Sequence, residues 1–213
     1  NGIYTNNFVF NLKYREGGQT IDSYEQLLQE GLMYLTIDLS SHCNRNRRDD
    51  VPGDEKGWFD LGDQNDFSSL KGGKYILSDI PFLINATGVI MLGSDKNLTN
   101  LPRTSGKISI DQQASHIFFL QTTTFNTSDI GTVLWTYTIN YQNGESEEVP
   151  VLSLTDVGDW ELWSQAGWQH ILEDKKVYIM AVQNQSGDFI ESIEINSGTV
   201  DEIPVILAIT TGT

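Results

Sequence analysis

The sequence predicts an all-β protein built as a two-layer β-sandwich, and three observations carry that expectation. Apolar and polar residues alternate with a period of two through much of the chain, Gly, Asn and Asp punctuate the alternating runs, and long amphipathic helical patterns are missing. Short strands joined by short turns pack sheet on sheet, whereas a parallel βαβ sheet needs helices between its strands. A propeller or solenoid is disfavoured because no repeat at the usual spacing of ~20 to 50 residues recurs.

The elements follow in chain order. FVFNL (8–12) and MYLTIDL (33–39) read as strands, and between them SYEQLLQEG (23–31) reads as a short helix, with Asp22 or Ser23 as N-cap and Gly31 as stop. Residues 1–32 therefore read as an added N-terminal strand and helix, or a junction segment, of a single domain spanning 1–213. KYILSDIPFLI (74–84), GVIML (88–92), KISI (107–110) and HIFFLQ (116–121) are the next strand runs. In TVLWTYTINY (132–141), Val133, Trp135, Tyr137, Ile139 and Tyr141 share one face, and Thr132, Leu134, Thr136 and Thr138 the other. Asn143-Gly144 then predicts a hairpin, because both central residues can take positive φ. VYIMAV (177–182), IESIEI (190–195) and IPVILAIT (203–210) complete the set.

With 213 residues, the chain is long enough to bury a core without disulfide staples. It carries 13 basic against 29 acidic residues, a net charge of −16, and that field repels phosphate backbones and anionic lipid surfaces. Nucleic acid is not expected as a partner, nor is membrane insertion, since no apolar run approaches the ~18 residues of a spanning helix. The basic cluster at Arg45, Arg47 and Arg48 is followed by Asp49, Asp50, Asp54 and Glu55, and reads as a self-neutralised, solvated loop. Cys43 is the single cysteine and reads as a free buried thiol. An N-terminal Asn in place of Met suggests a mature or excised segment.

Catalytic signatures are missing. There is no G-x-S-x-G elbow, H-E-x-x-H pair or phosphate loop, and His42, His116 and His170 are far apart in sequence. Glu191 and Glu194 fall on opposite faces of one strand, and Glu145, Glu147 and Glu148 sit beside the Asn-Gly turn, so neither run makes a carboxylate pair of the glycosidase kind. His116, among apolar residues, reads as a satisfied core or edge residue. The expectation is a chain that is not an enzyme.

GWFDLGDQNDF (57–67) concentrates aspartates and aromatics. Asp60, Asp63, Asn65 and Asp66 are hard oxygen donors suited to Ca²⁺, although their spacing is not that of an EF-hand, and Asp-rich turns also form without metal. No cofactor is required, and a structural calcium is retained as an expectation at Asp63, Asn65 and Asp66.

IDLSSHCNRNRRDD, GWFDLGDQNDF and GGKYILSDIPFLI together resemble the opening of galactose-binding-like modules attached to bacterial carbohydrate-active and cell-surface proteins. LPRTSGKISIDQQASHIFFLQTT, WTYTINYQNGESEEVPV, DVGDW and VYIMAVQNQSGDFIESIEINSGTVDEIPVILAIT continue it, so the likeness runs from about residue 34 to 210. The resemblance implies a jelly-roll β-sandwich without catalytic residues, extracellular or at the cell surface, tethered to a catalytic or surface domain. It also implies that Trp58 packs in the core and that Asp66 satisfies nearby backbone amides.

Such a module would bind a polysaccharide, and sugar recognition needs an apolar platform beside planar polar groups. DWELWSQAGWQH (159–170) reads as a loop offering Trp163 and Trp168 as platform and Gln165 and His170 as polar partners, with Trp160 assigned to the core. Arg48 joins as a bidentate donor. The alternative is a structural or protein-interaction β-sandwich with no sugar site, and it predicts that Trp163 and Trp168 are buried.

Overall fold

The computed structural model describes residues 14–16, 19–21, 31–86, 88–95, 97–125, 128–161 and 168–213. The strand expected at 8–12 and, apart from Gly31, the helix expected at 23–31 lie outside these residues. After a hairpin of β1 (Tyr14–Glu16) and β2 (Gln19–Ile21), the described chain is built of strands, turns and one short 3-10 turn at Asp63–Asn65.

Four antiparallel strands form a smaller sheet in the order β11 (Ser146–Leu152), β10 (Val133–Tyr141), β14 (Phe189–Ser197), β8 (Ile108–Gln113). A larger sheet runs β12 (Trp168–Leu172), β13 (Lys175–Gln183), β9 (His116–Thr122), β15 (Val205–Gly212), β7 (Gly88–Met91), β4 (Arg45–Asn46), and β3 (Tyr34–Ile37) also pairs with β15. A separate hairpin joins β5 (Gly73–Leu77) to β6 (Ile80–Ile84). The chain is thus nearly all-β, in keeping with a β-sandwich.

Between the two sheets lies an inner core that includes Trp135, Tyr137, Ile139, Phe119 and Ile209. Phe119 and Tyr137 stack across it at 3.8 Å, and the Tyr137 hydroxyl donates to Gln121 Oε1, which pairs those two buried polar atoms. Pro150 is tolerated because β11 is an edge strand of its sheet.

The larger sheet is covered on its other face as well, which the two-layer expectation did not include. An outer core holds Trp58, Phe67, Phe82 and Trp160 against Phe118 and Leu120, so the segment from Arg47 through the β5–β6 hairpin forms a partial third layer. Every residue of β9 and of β15 is consequently buried, the pattern of strands with no solvent face. Trp58 is fully enclosed, with its ring edge-on to Phe59, Phe67 and Trp160 at 5.0–5.5 Å.

Several local expectations need correction. The run 74–84 is two strands, because Ser78 and Asp79 reverse the chain. In β10 the alternation slips at a bulge between Val133 and Trp135, leaving Val133 46% exposed and Leu134 buried. The hairpin expected at Asn143-Gly144 is present between β10 and β11, with positive φ at Gly144 (88°) and not at Asn143. Bonds from Gly144 N to Tyr141 O and from Tyr141 N to Glu145 O make it a three-residue loop ending in a glycine bulge. The cluster Arg45–Arg48 is solvated and self-neutralised only at Arg48, which is exposed and pairs with Asp50. Arg45 and Arg47 are 2% and 5% exposed, and they serve as internal ties, Arg47 donating to the carbonyls of Leu70 and Ala86 and Arg45 to that of Gly57.

Candidate functional site

Ser78 and Asp79 form the two-residue turn between β5 and β6, both with positive φ (48° and 63°). Such a turn matches the twist of the hairpin, but Gly and Asn fill it most easily, so Ser78 holds ~1 kcal/mol or more of backbone strain. The turn carries the Ser78 hydroxyl to β12. Trp168 and His170 are two residues apart on that strand, so their side chains leave the same face. Trp168 Nε1–H donates to Ser78 Oγ at 2.9 Å, and His170 Nε2 lies 3.0 Å from the same oxygen.

The indole of Trp168 is 8% exposed and belongs to the outer core, so it anchors the site and does not serve as an open platform. Residues 168–170 are strand where a loop was expected. His170 is half-buried, and burial pushes its imidazole down to about 4, so the ring is neutral near pH 7. Tyr34 of β3 lies within electrostatic reach of Asp79. Burial raises its phenol, and the neighbouring charge of Asp79 adds to the effect. Its ring packs edge-on to Phe118 at 5.9 Å.

The rim therefore offers a hydroxyl, a neutral imidazole and an exposed carboxylate, with the Tyr34 phenol within electrostatic reach of that carboxylate. That inventory pairs well with the hydroxyls of a neutral ligand. It is poorly suited to nucleophilic catalysis, although a serine and a histidine touch. The Trp168 N–H draws density from Ser78 Oγ, an imidazole titrating near 4 is a weak base at neutral pH, and among the described residues no group hydrogen-bonds His170 Nδ1 to orient it.

The other residues expected at a site fall elsewhere. Trp163 and Gln165 lie outside the described residues. Arg48 is exposed, and its Nε pairs with Asp50 at 2.5 Å. Asp63 and Asn65 sit on the 3-10 turn, Asp63 exposed and Asn65 half-buried. The Asp66 carboxylate is committed to the backbone amides of Asp49 and Ser68, both at 3.0 Å. Burial works against ionising Asp66, but those bonds and the Ser68 side chain outweigh it and hold the carboxyl below its ordinary value. The carboxylates that converge are a different set, Asp49, Asp54 and Asp60. Trp160, assigned to the core, is 2% exposed, and Lys175 Nζ sits 4.5 Å above its ring. His116, also expected to be satisfied internally, is 2% exposed, stacks on Phe118 and contacts Ser115 Oγ.

Ser78, Asp79 and Tyr34 were not singled out from the sequence. A Ser-Asp pair inside an apolar run was the available signal, since small polar residues there mark a reversal. Comparisons with protein-family models, curated proteins and solved structures return no match for this chain.

Proposed function

We propose that the chain is a non-catalytic carbohydrate-binding module of galactose-binding-like type, which holds a tethered catalytic or surface domain at a polysaccharide outside the cell. The carrying observation is the convergence of Trp168 and His170 on Ser78, with Asp79 next to it in the turn. Hydroxyl recognition favours neutral and anionic acceptors over cations, and the net charge of −16 disfavours phosphorylated ligands. Trp163 and Gln165, just ahead of Trp168 in sequence, would supply the apolar face and a planar amide. Trp168 itself would act by fixing Ser78.

The test is retention of the purified chain on soluble and insoluble glycans, beside Asp79→Asn, His170→Gln and Trp163→Ala variants whose folding is checked by circular dichroism. Asn tolerates the left-handed backbone at position 79, so that variant probes the carboxylate alone. Binding of one glycan class, weakened about tenfold or more by Asp79→Asn, is the expected result, as befits loss of one charge-assisted hydrogen bond. Binding untouched by all three variants refutes this site.

A second reading, a structural or protein-interaction β-sandwich without a sugar site, is favoured by the burial of Trp168 and by Ile171, which stands 63% exposed on the same strand. Absence of glycan binding by the unaltered chain would select it.

A further inference from the structure

We propose that Asp49, Asp54 and Asp60 form a calcium site that fastens the loop covering the outer core. One carboxylate oxygen from each of the three lies within 4.8 Å of the others. Ca²⁺ sits ~2.3 to 2.6 Å from its oxygen ligands, so two ligands of one ion are at most ~5 Å apart, and the triad fits a single coordination sphere. The donor set is entirely hard oxygen, with no sulfur or imidazole to favour zinc or copper.

Asp49 supplies the observation that separates this group from an ordinary acidic loop. It is 1% exposed, its Oδ2 accepts the Gly62 amide at 2.9 Å, and its Oδ1 is buried with no hydrogen-bond partner. A buried carboxylate oxygen left unpaired is costly, and beside two further carboxylates it is costlier still. A divalent cation removes both penalties at once.

The nearby protein cations do not. Lys56 Nζ reaches Asp54 at 3.4 Å, but its side chain is 76% exposed, and such a pair contributes little. Arg45 is buried against the Gly57 carbonyl with Nε and Nη2 unpaired, and it forms no ion pair with Asp49.

The loop also holds the carboxylates in place. A Cβ at Gly57 would fall 2.4 Å from Cβ, Cγ and Oδ1 of Asp49, so only glycine leaves that carboxylate where it is. Asp60 adopts φ 64° and its Oδ1 accepts the amides of Asp54 and Glu55 at 3.0 and 3.2 Å, which turns the Asp54 backbone toward it. Three carboxylates offer three to six oxygens, and water completes the six to eight that Ca²⁺ takes. Trp58, the centre of the outer core, follows Gly57 directly, so an ion here would couple the loop to the third layer.

The experiment compares thermal unfolding of the chelator-treated chain in chloride salts of Ca²⁺ and Mg²⁺, with terbium luminescence as a direct binding readout. Asp54→Asn is the chief variant, because position 54 is half-buried and its change spares the core, and Gly57→Ala is the second. The expected result is a midpoint that climbs with the logarithm of Ca²⁺ concentration once the site fills, a weaker response to Mg²⁺, and a loss of tenfold or more in Ca²⁺ affinity in both variants. An unaltered chain that neither binds terbium nor responds to Ca²⁺ overturns the proposal and leaves Arg45 as the charge balancing Asp49. Equal Ca²⁺ response in Asp54→Asn overturns it too. The glycan assay does not enter, so this inference and the sugar reading stand or fall separately.

Discussion

Replacing His170 by Gln is expected to remove one specific component of acid sensitivity. The amide of Gln can take the position of Nε2 beside Ser78 but does not titrate. In the folded chain burial lowers the imidazole from its ordinary 6.5 to about 4. The unfolded chain therefore takes up a proton as pH falls below 6.5, whereas the folded chain resists until about 4. Stability attached to this residue is complete above pH 6.5, declines between 6.5 and 4, and is level below. Each tenfold change in proton affinity is ~1.4 kcal/mol, so the full loss is ~3 kcal/mol.

Urea unfolding followed by tryptophan fluorescence, at half-unit steps from about pH 4 to 8, measures both chains. Carboxylates such as Asp66 titrate in both and cancel in the difference. The unaltered chain minus the Gln variant should fall by ~3 kcal/mol across that window. A flat difference would mean that water reaches the imidazole freely. A difference that rises as pH falls would mean that an anionic neighbour holds the imidazolium, with Asp79 the first to test, and it would reverse the argument that His170 is neutral at the rim.

Trp58→Ala empties the middle of the outer core and should cost about 3 to 5 kcal/mol in chemical unfolding, as full-size aromatic truncations do; a cost under about 1 kcal/mol would show that the third layer contributes little. Cys43 is free and half-buried, and burial, helped by the charge of Asp38 and opposed by Arg47, pushes its thiol up to about 11 from 9.0. Iodoacetamide at pH 8 should thus alkylate the native chain roughly a hundredfold more slowly than the urea-unfolded one, and equal rates would refute that environment.

The strand content was legible because alternation is a local signal, and most runs reappear within a few residues of their expected limits. The core placement of Trp58 and Trp160 was legible too, since large aromatics beside glycine turns have few other places to go. What escaped notice was decided by long-range contacts. Arg45 and Arg47 look solvated in a charged run, yet their donors are used by carbonyls at Gly57, Leu70 and Ala86. Trp168 and His170 look like a loop because Ile171, between them and Leu172, points outward and blurs the period. Ser78 meets them only through folding, across 90 and 92 residues of chain. The metal-type grouping was displaced for the same reason. Asp66 is consumed by backbone amides, while Asp49, upstream of the quoted aspartate run, is the buried member of the converging set.

Strand β15 occupies the interior of the larger sheet, bordered by β9 on one side and by β7 and β3 on the other, although it is the last in sequence of the described strands. Until the ribosome has delivered residues 205–212, β9 and β7 present unpaired edges to the cell, and both cores lack one wall. Closure of both cores therefore waits for this segment, is slow in the manner of high-contact-order β proteins, and depends on protection of those edges in the interval. A nascent chain stalled short of Val205 would expose both edges and be a substrate for chaperones.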